Sequence, residues 1–176
     1  QNIDENRNRI QKKLNDSKKE AMSAAADLRN IRIKIAKAVQ KKVTDNLKDL
    51  NMQNAEFLIE IEKEEQLHYN GIDRIDFLLK TNKGQDFSSL SKIASGGEVS
   101  RIMLGFKKVF AEADPTDTLI FDEIDSGISG RTAQIVGEKL VDLSDKFQII
   151  SISHLPQIAS LADRHILIEK KDVEDK

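Results

Sequence analysis

The sequence predicts an α/β fold, a mostly parallel sheet with helical cover, preceded by a long coiled-coil helix. Three observations carry that expectation. Residues 1–70 contain neither Gly nor Pro and hold a seven-residue apolar repeat, the mark of a long helix with a seam. Short apolar segments then alternate with helical patterns, the order of βα units on a parallel sheet. One of those segments ends in Asp122-Glu123 and another in His154, at the carboxyl ends of strands where open α/β sheets place ligands.

The helix is tested by its register. Ile3, Ile10, Ser17, Ala24, Ile31 and Ala38 fall seven apart, as do Arg7, Leu14, Ala21, Leu28, Ile35 and Lys42. Nine of these twelve positions are apolar, a coiled-coil stripe whose partner strand lies elsewhere. An ordinary amphipathic helix on a domain surface writes a similar pattern. Beyond Ala38 the stripe moves to Val39, Val43, Leu47 and Leu50, a shift that ends or unwinds a supercoil. Residues 1–50 are therefore expected to be a coiled-coil helix leading into a body formed by residues 51–176.

Within the body, residues 56–61 and 74–79 look like strands, with His68 to Gly71 as turn material between them. Residues 81–92 are a polar loop. A helix is expected from about Glu98 to Ala111, with Val99, Ile102, Met103, Phe106, Val109 and Phe110 on one face. A strand at 118–121, a helix at 132–143, a strand at 147–152, a helical turn after Pro156 and a strand at 165–169 follow. Residues 170–176 read as a frayed end.

Composition narrows the classes. The chain has 176 residues, 39% of them hydrophobic, enough for one globular domain plus an extension. Charged residues make up 33%, above the ~25% of ordinary domains and suited to a long solvated helix. There is no cysteine, which excludes disulfides and thiolate metal sites. No apolar run approaches the ~18 residues of a membrane span and no signal peptide is visible, so a soluble, cytoplasmic protein is expected. Charge is uneven: residues 1–50 carry 13 Lys or Arg against 7 Asp or Glu, and the remainder 15 against 23. A basic arm on an acidic body favours a polyanion such as DNA, and it is equally the signature of a solvated helix face. The chain opens at Gln1 in mid-helix, and it is expected to be the C-terminal portion of a longer protein or one half of a shared site.

The candidate chemistry begins at Ser95-Gly96-Gly97-Glu98. Two glycines allow close backbone approach, and the helix that follows offers unpaired N–H groups to an anion such as phosphate. The same residues also serve as a plain helix cap. Asp122 and Glu123 ask for a division of labour, because adjacent side chains on an extended strand point opposite ways. Asp122 suits the outer shell of a Mg2+ through water, since that ion keeps its waters and takes few carboxylates. Glu123, just past the strand, suits polarisation of an attacking water. An acidic pair in this place is otherwise a turn or a cap. His154 is suited to hydrogen-bond a terminal phosphate, whereas His68 and His165 read as structural. The phosphate loop that would complete such a site needs a Gly-Lys pair, and none of the eight glycines precedes a lysine.

Taken together, residues 92–104 (KIASGGEVSRIML), 121–130 (FDEIDSGISG) and 151–159 (SISHLPQIA) resemble the C-terminal half of an ABC-type ATPase head as found in SMC-like proteins. The resemblance covers essentially the whole chain, including the coil. It implies that Ala94, Ser95, Gly96, Gly97 and Glu98 are the signature motif, acting on ATP held by a second head, and that Asp122 and Glu123 are the Walker B pair. It further implies that His154 is the switch histidine and that Asp125, Ser126, Gly127, Ile128 and Ser129 form the D-loop. Many such heads carry Asp where this chain has Ser129. The implied cofactors are ATP and Mg2+. The implied partners are an N-terminal half bearing the Walker A loop, a second head in a homodimer, and DNA, with no membrane. The implied work is DNA double-strand-break repair and recombination by a cytoplasmic, nucleoid-associated ATPase, inactive as this chain alone. Two other readings are a head of another SMC-like chromosome protein and a non-catalytic coiled-coil scaffold.

Overall fold

The computed structural model describes residues 2–92 and 96–169; the expectations for Ala94, for Ser95 and for the end at 170–176 lie outside them. The chain divides into two compact units, Gln1–Asp45 with Asn54–Ile93, and Asn46–Gln53 with Ala94–Lys176.

The first unit is built on helix α1 (Asn2–Asp49), with Asp4 and Glu5 in its first turn and Lys48 in its last, charges that complement the helix dipole. Its heptad seam is bare: Ile3, Ile10, Ile31 and Ile35 are all exposed. What α1 buries is a neighbouring face carrying Ala25, Ala36 and Val43. Strands β1 (Glu56–His68) and β2 (Gly71–Lys80) form an antiparallel hairpin, with β3 (Ser88–Ser89) added beside β2. The hairpin is longer than its apolar runs suggest, because polar pairs carry the register onward through Glu62–Arg74 and Lys63–Asp73 and cross-strand charges support each other. It closes in a turn at Tyr69-Asn70, and Gly71 (φ +113°) supplies the backbone angle.

Asp73 explains how α1 is held on this hairpin. Its side chain is fully buried between Arg29, which reaches one carboxylate oxygen, and Arg32, at 3.0 Å from the other. Arg32 also donates to the Asn70 carbonyl at 2.8 Å. Burial alone would push the Asp73 carboxyl up, but the hydrogen bonds and charges of the two guanidinium groups hold it below the ordinary range.

The second unit takes in the last turn of α1. That helix ends with Asn51 in the left-handed region (φ 64°), while Met52 N–H donates to the Leu47 carbonyl at 3.1 Å and Asn51 N–H to Lys48 at 3.2 Å. This is a Schellman stop with Asn in the glycine position. Lys139 clamps the turn from outside, 3.0 Å from both Asn46 Oδ1 and Asp49 Oδ2. The remaining elements are α2 (Gly96–Phe110), β4 (Thr118–Phe121), α3 (Gly130–Ser144), β5 (Gln148–Ser151) and α4 (Pro156–Ala159). Strands β4 and β5 pair in parallel, Thr118 opposite Gln148 and Phe121 opposite Ser151, with α3 as the crossover. One core joins Leu50, Leu104, Leu119, Phe121, Ile124, Val136, Leu140, Phe147 and Ile158.

Three expectations are corrected. Among the described residues the strands are not mostly parallel: they form a three-stranded antiparallel sheet and a two-stranded parallel one, because a two-residue turn returns the chain beside itself whereas a helix crossover is needed for parallel pairing. Residues 165–169 are not a strand, and Ile166, Leu167 and Ile168 are more than 80% exposed; apolar character makes a strand only where a ladder partner exists. Strand β5 stops at Ser151, so His154 lies three residues beyond it.

Candidate functional site

The site lies within the second unit, where three loops meet. Helix α2 begins at Gly96, and its first residues press on the turn after β4. A Cβ at Gly96 would lie 2.6 Å from Glu123 Oε2, and one at Gly97 would lie 2.7 Å from Ser126 Cβ and 3.0 Å from the Glu123 carbonyl. At Gly97 the obstructing atoms include backbone, so glycine is needed there to let the helix start close onto the turn, whereas at Gly96 only the end of the Glu123 side chain would have to move. Ser100 Oγ donates to the Asp122 carbonyl at 2.6 Å. Arg101, only 8% exposed, donates through Nη1 to the Ser126 carbonyl at 2.6 Å and the Ile124 carbonyl at 3.4 Å. Burial pushes its guanidinium down, and the charge of Glu98 opposes that shift.

Strand β4 ends at Phe121, and Asp122 and Glu123 fall in the bend beyond it. The alternation expected of an extended segment therefore stops short of Glu123, which adopts φ 53°. A left-handed conformation is costly for a side chain of this kind, and such strain gathers at functional sites. Both acids are exposed, while Ile124 and Asp125 turn inward. Ser126 N–H closes the turn on the Glu123 carbonyl at 2.9 Å. Of the remaining expected loop, Gly127 has φ 71°, Ile128 packs partly on the core, and Ser129 precedes α3 without a side-chain capping bond.

The third loop follows β5. Ile152 N–H extends the ladder to the Phe121 carbonyl at 2.9 Å. Asp125, 3% exposed, then gathers the loop: its Oδ2 accepts from Ser153 Oγ at 2.6 Å and from His154 N–H at 2.8 Å, and lies 3.1 Å from His154 Nδ1. Burial alone would push the Asp125 carboxyl up, but the Ser153 and His154 hydrogen bonds and the imidazole beside it hold it below the ordinary range. The His154 side chain is 76% exposed.

The structure thus brings Gly96, Gly97, Glu123 and Ser126 together, and joins His154 to the same turn through Asp125. Glu98 sits half-buried in the first turn of α2. Among the described residues no three acidic or imidazole groups cluster as a metal cage, and a Mg2+ that keeps its waters requires no such cage. The sequence reading assigned no role to Ser100, Arg101 or Ser153. Arg101 carried a legible signal, since it falls one helical turn after Gly97 on the face that must meet the turn. Ser151 and Ser153 carried another. They alternate with Ile150 and Ile152, yet the isoleucines are exposed and the serines half-buried.

This fold is that of an SMC-type head. The Smc head with an extended coiled coil from Pyrococcus furiosus, solved bound to the C-terminal domain of ScpA, matches with a TM-score of 0.63 at 17% identity, covering 92% of this chain and 39% of that one. The Pyrococcus yayanosii Smc head with a coiled coil and joint matches with a TM-score of 0.56 at 20% identity, covering 92% and 29%. No protein-family model matches the chain. In sequence the chain is similar to RecN proteins of several bacteria. It is 41% identical over 153 residues to the DNA repair protein RecN of Halalkalibacterium halodurans, covering 85% of this chain and 27% of the relative. Against Bacillus subtilis RecN it is 38% identical, covering 97% and 32%, and against Haemophilus influenzae RecN 42% identical, covering 80% and 25%. The chain spans about a quarter to a third of the length of these curated relatives.

Proposed function

We propose that this chain supplies the magnesium-and-water side of a composite ATP-hydrolysing site in an SMC-like DNA repair ATPase. One observation carries the reading: a glycine-opened helix start, a strand-end acidic pair and a histidine loop are bonded into one piece of the second unit. In this reading residues 1–50 are the coiled-coil helix and residues 51–176 the C-terminal lobe of the head.

The roles follow from position. Asp122 would hold a Mg2+ through water, and the ion would supply positive charge to offset that of the phosphates. Glu123 orients and polarises the attacking water, a role that contributes on the order of 10^2–10^4-fold. His154 donates to the terminal phosphate. Gly96, Gly97 and Glu98, with Ala94 and Ser95 before them, form the signature motif, whose helix start faces phosphate held by a second head. Asp125 to Ser129 form the D-loop at that junction. The cradle for the triphosphate comes from an N-terminal half bearing the Walker A loop. The exposed isoleucines of the parallel sheet, Ile120, Ile150 and Ile152, support that, since an apolar sheet face calls for a covering layer.

The chain alone is expected to hydrolyse ATP negligibly, and adding the N-terminal half should restore turnover. Glu123→Gln should then trap ATP-bound dimers. Robust turnover by the isolated chain, indifferent to Glu123→Gln, would overturn the assignment. DNA binding through the basic arm is expected to be sequence-independent and to weaken steeply with salt, as befits a nucleoid-associated cytoplasmic protein. No described helix is long and apolar enough to cross a membrane.

A further inference from the structure

Asp125, the buried first residue of the proposed D-loop, also reaches the histidine loop. Asp125 uses a single carboxylate oxygen to hold the main chain of His154, to face the Nδ1 of the same residue, and to accept from the neighbouring Ser153 hydroxyl. We propose that Asp125 is the positioning residue for His154, holding its imidazole with Nδ1 inward and Nε2 outward and tying that orientation to the turn that carries Glu123. The inference rests on the ATP-site reading and adds to it a residue that acts through another.

The ring has little else to hold it. With its side chain 76% exposed, His154 has no packed pocket to select a rotamer, and an unheld imidazole samples several. A carboxylate that binds both the backbone N–H and Nδ1 of one residue restricts the ring and decides which nitrogen is protonated toward it. Nε2 is then the atom that meets a ligand. Ser153 tightens the tether, because its oxygen also accepts from the Leu155 N–H at 3.1 Å. Asp125 is itself held. The next residue, Ser126, bonds back to the Glu123 carbonyl, and the Ser126 carbonyl is gripped by Arg101. A displacement of the helix start at Gly97 is therefore passed to the turn and onward to the histidine, linking the surface that meets one nucleotide to the groups that act on another.

A buried aspartate that merely staples a loop would share this geometry, so the test reads the ring itself. Side-chain 15N NMR of the 176-residue chain should show His154 protonated at Nδ1. In Asp125→Asn, which keeps the size and an acceptor oxygen, the ring should move to the Nε2-protonated mixture of an exposed histidine. Ser153→Ala, which spares the carboxylate, should retain the Nδ1-protonated signature. With the Walker A half added, Asp125→Asn should lower kcat roughly tenfold or more, the usual effect of losing an orienting partner, with KM little changed. His154→Ala in that background should add nothing further. An unchanged His154 spectrum in Asp125→Asn, or loss of the signature in Ser153→Ala, would overturn the proposal. If Glu123→Gln leaves turnover intact, the ATP-site reading fails instead, and the NMR comparison still decides the role of Asp125.

Discussion

Arg101 Nη1 donates to the Ser126 carbonyl at 2.6 Å from a position only 8% exposed. A guanidinium is spent here on main-chain oxygens rather than on a carboxylate, which makes it a brace for the turn. Arg101→Met keeps the bulk but strips two carbonyls of their donor. The expected loss is about 1.5–3 kcal/mol, the value of hydrogen bonds to charged groups, read as a lower urea midpoint. Arg101→Lys should recover only part, since a flexible ammonium lacks the planar, pre-organised guanidinium that aims Nη1 at both carbonyls. An undisturbed midpoint in Arg101→Met would show that the brace is idle.

The two site glycines should fail differently. An alanine Cβ at Gly96 would meet the far end of the Glu123 side chain, which swings away cheaply, whereas one at Gly97 would meet Ser126 Cβ and two backbone oxygens. Gly97→Ala is expected to destabilise the second unit by roughly 1–3 kcal/mol through overpacking. Gly96→Ala should leave thermal stability near wild type while lowering reconstituted turnover. Equal thermal losses in both variants would contradict the mapped contacts.

Glu123 holds φ 53°, an angle that costs a residue with a Cβ roughly 1–2 kcal/mol. Glu123→Gly removes that strain and pays back about 0.5–1 kcal/mol in unfolded-chain entropy. The variant should therefore unfold at the same temperature or higher while losing turnover altogether. A clear drop in melting temperature would mean that the side chain stabilises the fold and that the angle is unstrained.

Acid should loosen the first unit through Asp73. Its carboxyl is held below the ordinary value, so the stability it contributes is complete above the unfolded value of about 3.9 and is lost as pH falls through the folded value. Amide protection along β2, taken relative to the intrinsic exchange rate at each pH, should fall below about pH 4. Asp73→Asn should already exchange faster at neutral pH and respond less to acid, because the two arginines then face an uncharged group. An identical acid response in both proteins would assign the effect to another carboxylate.

Much of the fold was legible because periodicity reports which side of an element meets the core. The break-free helix, the strand at 118–121, the helices either side of it and the shift of the α1 stripe to Val43, Leu47 and Leu50 were all written in spacing. Residues 165–169 misled because apolar character is a property of a segment, whereas a strand is a property of a pair. The hairpin ran past its apolar core for the same reason, its extension resting on cross-strand charge pairs such as Glu62–Arg74.

The amino-acid order by itself determined the motifs and their placement at helix starts and strand ends: the glycine pair, the acids at 122 and 123, and the histidine at 154. Tertiary structure alone decided that Asp125 faces His154, that Arg101 grips Ser126, that Glu123 lies in the left-handed region and that Asp73 is buried between two arginines. Local spacing sets how a side chain leaves its own backbone, but a hydrogen bond between loops 20 or more residues apart forms only after packing has brought those loops together.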